Sequence, residues 1–158
     1  RQFRVDTSNP GGVALLEMGE PDQLYLNDGQ GRFAAVPWTE GRFLDEDGQP
    51  LREEPLDWGL SVQFRDLNRD GHPDLYVCND FFTPDRIWIN QGGGVFRMVP
   101  RLAVRQTSWA SMAVDGADID RDGWDDVFVS EMLSRRPARR QLQHSLLEVA
   151  PVPTWGWG

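Results

Sequence analysis

An all-β fold, made of short antiparallel strands in repeating four-stranded units, follows from three features of the chain. Turn-formers and aromatics are both abundant, with 16 Gly, 11 Pro and 7 Trp among 158 residues, a mixture that favours short strands over long helices. An acidic stretch, Asp66-Leu67-Asn68-Arg69-Asp70-Gly71-His72-Pro73-Asp74, is written again as Asp118-Ile119-Asp120-Arg121-Asp122-Gly123-Trp124-Asp125-Asp126. A glycine-rich turn, Asn27-Asp28-Gly29-Gln30-Gly31-Arg32-Phe33, returns as Asn90-Gln91-Gly92-Gly93-Gly94-Val95-Phe96. Glycines at those places suit a hairpin turn with positive φ.

Each acidic stretch carries oxygen-bearing side chains at loop positions 1, 3 and 5 (Asp66, Asn68 and Asp70; Asp118, Asp120 and Asp122), glycine at 6 and aspartate at 9 (Asp74, Asp126). A hard cation such as Ca²⁺ takes six to eight oxygens at about 2.3–2.6 Å, and alternate residues of a curled loop supply them. Glycine makes the sharp turn at position 6 without a Cβ clash. Position 7, His72 or Trp124, would add its backbone carbonyl. Carboxylates gathered this closely repel one another unless a cation offsets the repulsion. An EF-hand loop begins the same way but needs an acid at position 12 and flanking helices. Position 12 here is Val77 or Val129, and the residues after each loop, Leu75-Tyr76-Val77-Cys78 and Val127-Phe128-Val129, have strand composition. The loops therefore join strands.

Taken in order, residues 1–18 hold the apolar run Val13-Ala14-Leu15-Leu16 after an Asn-Pro-Gly-Gly turn, which reads as a strand. Glycine-rich hairpins at 22–36 and 85–99 alternate with strand–acidic loop–strand modules at 60–78 and 109–131. Residues 58–99 make one complete unit of four antiparallel strands, 1–38 the second half of the unit before it, and 108–132 the first half of the next. Such repeats are the pattern of a β-propeller. Propellers close with at least four blades, so the chain is expected to be part of a longer protein, or to self-associate through open strand edges. Residues 40–55 are polar and turn-rich, and read as a surface loop. Their Asp45-Glu46-Asp47-Gly48 echoes the acidic loop, but positions 1 and 9 would be Phe43 and Leu51, so no third cation site is expected. Residues 133–150 read as a basic helical insertion, with Leu142, Leu146 and Leu147 along one side.

Composition narrows the function. The formal net charge is −9, much of it in the two loops, which argues against binding a nucleic-acid backbone. No apolar run reaches the ~20 residues that span a bilayer. Cys78 is the only cysteine, which leaves no intrachain disulfide; it reads as a small buried strand residue. His72 and His144 lack the setting of a nucleophile–base pair, and every paired carboxylate stands at ligand spacing, so no catalytic residue is assigned. Trp58, Trp88 and Trp109 read as core, while Trp124, Trp155 and Trp157 are freer to stack on a sugar. Arg135, Arg136, Arg139 and Arg140 read as a solvated helix face.

The acidic loop followed by Leu-Tyr-Val or Val-Phe-Val, and then Asn-x-Gly-x-Gly-x-Phe, resembles the FG-GAP/VCBS repeats that build the propellers of integrin α-subunits and of many bacterial extracellular proteins. Trp58-Gly59, Ser108-Trp109-Ala110-Ser111-Met112 and the arginine-rich stretch after Met132 are similar to the ASPIC/UnbV-associated group, relatives of cartilage acidic protein. The resemblance implies two structural Ca²⁺ sites, on Asp66, Asn68, Asp70, Asp74 and the His72 carbonyl, and on Asp118, Asp120, Asp122, Asp126 and the Trp124 carbonyl. It implies a non-catalytic module for binding, adhesion or scaffolding, outside the cytoplasm, at the cell surface or in the periplasm. Its partner would be a protein or a glycan; the alternative is an accessory domain of a secreted hydrolase.

Overall fold

The computed structural model describes residues 2–6, 14–80, 83–104, 107–108 and 110–132. The basic segment expected at 133–150, Trp109, Trp155 and Trp157 lie outside the described residues. Among the described residues the regular elements are nearly all strands: β1 (Gln2–Asp6), β2 (Ala14–Met18), β3 (Tyr25–Asn27), β4 (Phe33–Ala35), β5 (Phe43–Leu44), β6 (Gly59–Arg65), β7 (Asp74–Asn79), β8 (Arg86–Asn90), β9 (Phe96–Met98), β10 (Ser111–Ala117) and β11 (Asp126–Glu131). One helical turn, α1 (Arg101–Val104), follows β9.

The central sheet has the order β5-β9-β8-β7-β6. Its four long-paired strands run antiparallel, with Val62 opposite Val77, Leu75 opposite Trp88 and Asn90 opposite Phe96. The acidic loop 66–74 joins β6 to β7, and the Gly-rich turn joins β8 to β9, where Gln91 N donates to the Val95 carbonyl at 2.7 Å. Three hairpins stand as separate two-stranded sheets, β1–β2, β3–β4 and β10–β11. The strand β1 carries no signal in the sequence beyond a short alternation; it pairs antiparallel with β2, Arg4 opposite Leu16.

Side chains alternate across a strand, and the two faces of the central sheet meet different neighbours. One face carries Leu75, Trp88 and Phe96, which pack with Val36, Trp38 and Phe43 into the apolar core. Trp38 arrives after β4, its indole N–H donating to the Asp22 carbonyl at 2.8 Å. Trp88 is buried as its strand position predicts, whereas Trp58 is only half-buried and Trp38 takes a core place that its loop setting conceals. The alternate residues Tyr76 and Cys78 are turned toward Asp85 and the start of β10. Cys78 is fully buried and its thiol is pushed up to about 12, first by burial and then by the Asp85 charge. It is an inert core residue, not a reactive thiol.

The reading of 40–55 as a polar surface loop is corrected at its apolar residues. Phe43 is fully buried; its ring centroid lies 4.0 Å from that of Trp38 and 5.5 Å from that of Phe96, with which it stacks. β5 adds in parallel to β9, and Phe96 N donates to the Arg42 carbonyl at 2.7 Å. The physical reason is that the outer edge of β9 offers unpaired backbone groups beside an apolar hollow, and a Phe-Leu pair fills both. The Asp45 carboxylate, meanwhile, accepts the amides of Asp47 and Gln49 at 3.0 and 2.7 Å, closing a plain turn.

Two polar contacts hold the layers. Arg86 pairs with Asp57, which is almost wholly buried, through Nε and through Nη2 at 3.0 Å. Asp85 accepts hydrogen bonds from Tyr76 Oη at 2.9 Å, from the Asn79 amide at 2.9 Å and from Ser111 Oγ at 2.8 Å. The last of these ties the β10–β11 hairpin to the central sheet. Burial raises the Asp85 carboxyl above the ordinary range against the pull of its three donors, and the Glu131 charge adds to the rise.

Two outcomes test this packing. Replacing Phe43 by Ala should cost about 3–5 kcal/mol in denaturant unfolding, the usual loss for a buried phenylalanine; a loss below about 1 kcal/mol would place residue 43 on the surface. For Asp85 the folded-state pKa is raised. The native state thus keeps its proton where the unfolded chain, near 3.9, has released it, and stability falls as pH rises through that window. Wild type should accordingly lose stability relative to Asp85→Asn as pH climbs from about 4. A difference between them that stays constant with pH would show the carboxyl to be normal.

Candidate metal centre

The two acidic loops adopt one conformation, and their own aspartates impose it. In the first, Asp66 accepts the amides of Asp70 and Gly71 at 3.0 and 2.9 Å, Asn68 Oδ1 accepts the Asp70 amide at 3.1 Å, and Asp70 accepts the His72 amide at 2.8 Å. In the second, Asp118 accepts the Gly123 amide at 3.0 Å, Asp120 the Asp122 amide at 3.0 Å and Asp122 the Trp124 amide at 2.8 Å. Short aspartate and asparagine side chains bond the backbone two residues ahead in this way and so bend it. The bend carries position 4 into the left-handed region, Arg69 at φ 62° and Arg121 at φ 65°, and position 6 follows at 86° for Gly71 and 92° for Gly123. Glycine meets the second of these at no steric cost.

Curling turns the odd-numbered side chains inward. One carboxylate oxygen from each of Asp118, Asp120 and Asp122 lies within 4.8 Å of the others. Oxygens bound to one Ca²⁺ at about 2.4 Å stand up to about 4.8 Å apart, so the donor set fits a hard cation in both chemistry and spacing. In the first loop Asn68 replaces one carboxylate, and its Nδ2 donates to Asp70 at 2.8 Å. That amide is the main influence holding the Asp70 carboxyl below its usual range.

The position-9 aspartates close the loops, with different surroundings. Asp74 is fully buried, one oxygen accepting the Leu67 amide and the other the Asn90 amide of β8, both at 2.8 Å. Burial raises its carboxyl, while those two amides oppose the rise. Asp126 accepts the Ile119 amide at 3.0 Å in the same manner but is exposed. The His72 ring packs near Gly92 of the β8–β9 turn, leaving only its backbone at the loop; the Trp124 ring is exposed.

Sequence reading passes over the residues that join the two loops. Arg65, the residue before Asp66, grips Asp125 at 2.5 Å through Nε and at 3.2 Å through Nη2, and the Asp125 carboxyl is lowered chiefly by that bond. Gln63 donates to Asp115 at 3.1 Å. The Arg69 guanidinium lies over the Trp124 ring, 4.9 Å from its centroid. The only trace of these pairs in the sequence is that basic residues sit between acids in both copies.

Fold and site together define an all-β protein whose strands are joined by paired oxygen-lined loops. Within that class, a family model described as an FG-GAP-like repeat matches residues 66–129, a span that takes in both loops, and this part of the chain is similar to that repeat. No curated protein and no solved structure matches the chain. Among the described residues no helix is long and apolar enough to cross a membrane.

Proposed function

We propose that the chain is a calcium-braced, non-catalytic module of a β-propeller, serving binding, adhesion or scaffolding outside the cytoplasm. The observation that carries the reading is one curl made twice by matching amide-to-carboxylate bonds, with the side-chain oxygens of Asp118, Asp120 and Asp122 at cation spacing in the second copy. A lone acid-rich turn would be ordinary; two turns with matching amide partners and matching positive-φ residues support a shared ligand. Asp66, Asn68, Asp70 and Asp74, and Asp118, Asp120, Asp122 and Asp126, are the side chains that would hold it, with the carbonyls of His72 and Trp124. A bound Ca²⁺ would neutralise the clustered charge and lock each inter-strand turn.

The propeller arrangement is supported by the way the β3–β4 side and the β10–β11 hairpin meet opposite faces of the central sheet, as successive blades do. The extracytoplasmic placing rests on affinity. Exposed loops of this kind in extracellular modules bind Ca²⁺ at about 10⁻⁴–10⁻³ M, which suits a compartment with millimolar calcium. The partner is a protein or glycan surface, and nucleic acid is disfavoured by the acidic charge.

Melting experiments test the reading. At about 10 mM Ca²⁺ a site with Kd near 10⁻³ M gains roughly 1.4 kcal/mol, so two sites should raise Tm by about 5–10 °C over a chelator control. The Asp70→Ala/Asp122→Ala variant should lose this response. Identical melting of wild type with calcium and with chelator would refute the assignment.

A further inference from the structure

We propose that Arg69 couples the two acidic loops, so that a divalent cation held in one raises the affinity of the other. The proposal rests on the cation reading above and adds a regulation to it. Arg69 occupies position 4 of the first loop, between Asn68 and Asp70, and has φ 62° in the curled loop. The same backbone turn aims its side chain out of its own loop and across to the second. There the guanidinium lies over the Trp124 ring, 4.9 Å from the centroid, and about 3 Å from where a side chain on Gly123 would begin (3.1 and 3.2 Å to its two terminal nitrogens). Gly123 and Trp124 are positions 6 and 7 of the second loop, the turn and the carbonyl donor.

A second contact runs in parallel. Arg65 immediately precedes the first ligand of loop one, and Asp125 stands between the last two ligand positions of loop two; they are joined by two hydrogen bonds. Arg65 ends β6 and lies outside the curl, so this pair holds loop two to the sheet whatever the state of loop one, and Arg69 is the group whose place is set by one curl and which touches the other. A cation that fixes one curl removes part of the ordering cost of the second, which is how coupling arises between sites that share a two-state element. Stacking of a guanidinium on an exposed tryptophan is weak alone, but it needs to act only on the difference between a curled and an open loop. Repulsion between the two ions works against coupling, and at about 0.15 M salt exposed charges are screened over about 8 Å.

Calcium titration by calorimetry at that ionic strength decides the matter, using the whole chain and Ca²⁺ alone as the probe. Silencing loop one with Asp70→Ala should weaken binding at loop two about five-fold, and Asp122→Ala should weaken loop one by the same factor, since equilibrium coupling is reciprocal. In an Arg69→Asn background, where asparagine tolerates the left-handed backbone, silencing either loop should leave the other within two-fold of its unsilenced affinity. Trp124→Leu removes the stack from the other side, keeps the backbone carbonyl, and should uncouple the loops likewise. Two sites that bind independently in wild type, or a silencing effect that persists without Arg69 and without Trp124, would overturn the coupling while leaving the cation reading standing. Absence of calcium binding in wild type would overturn both.

Discussion

A single buried carboxylate anchors the arrangement. Asp74 ends the first acidic loop and begins β7, and each of its oxygens accepts one amide, Leu67 from the loop and Asn90 from the neighbouring strand. Burying a carboxylate is costly unless it is hydrogen-bonded, and here each oxygen is met by a backbone amide. The loop is therefore bolted to the sheet at the place where β7 meets β8. His72 packing near Gly92 sets the loop beside the β8–β9 turn, and the strand that follows carries Leu75 and Val77 to the core on one face and Tyr76 and Cys78 to the other.

The second loop repeats the curl without the burial. Asp126 closes it through Ile119 alone among the bonds described, and its exposed carboxylate rests on the surface. What holds this loop in place comes from its neighbour: Gln63 to Asp115, Arg65 to Asp125 and Arg69 over Trp124. One loop is thus fixed by its own sheet and the other by the first. The asymmetry gives the pair a direction, from the central sheet outward to the β10–β11 hairpin, and Ser111 on Asp85 fastens the far end of that hairpin.

Layer by layer, the protein uses polar contacts where elements meet and apolar ones within the central sheet's inner face. Phe43, Trp38, Trp88 and Phe96 form an aromatic cluster of tilted, edge-on and stacked pairs, with ring separations in the range where aromatic pairs attract. Arg86 on Asp57 and, toward the β10–β11 hairpin, Asp85 among three donors are paired where an unpaired buried polar group would be costly. Leu60, Val62 and Phe64 of β6 remain about half exposed, so the apolar surface of the sheet runs on past the part that β3–β4 and residues 36–43 cover.

The strands from β6 to β9, both acidic curls and the glycine turns were legible in the amino-acid order, because strand composition and turn residues are local signals and the bonds inside each curl span seven residues or fewer. Asp66 reaches Gly71 and Asp118 reaches Gly123 whatever else the chain does. The burial of Phe43 in a stretch whose composition is that of a loop, the place of Trp38 in the core, the Asp85–Ser111 tie and the stack of Arg69 on Trp124 could be known only from the folded molecule. They join residues far apart in the chain, 60 positions in the case of Arg65 and Asp125. Such contacts depend on which faces meet and at what offset, and nothing in the spacing of residues along one strand encodes the offset of the next layer.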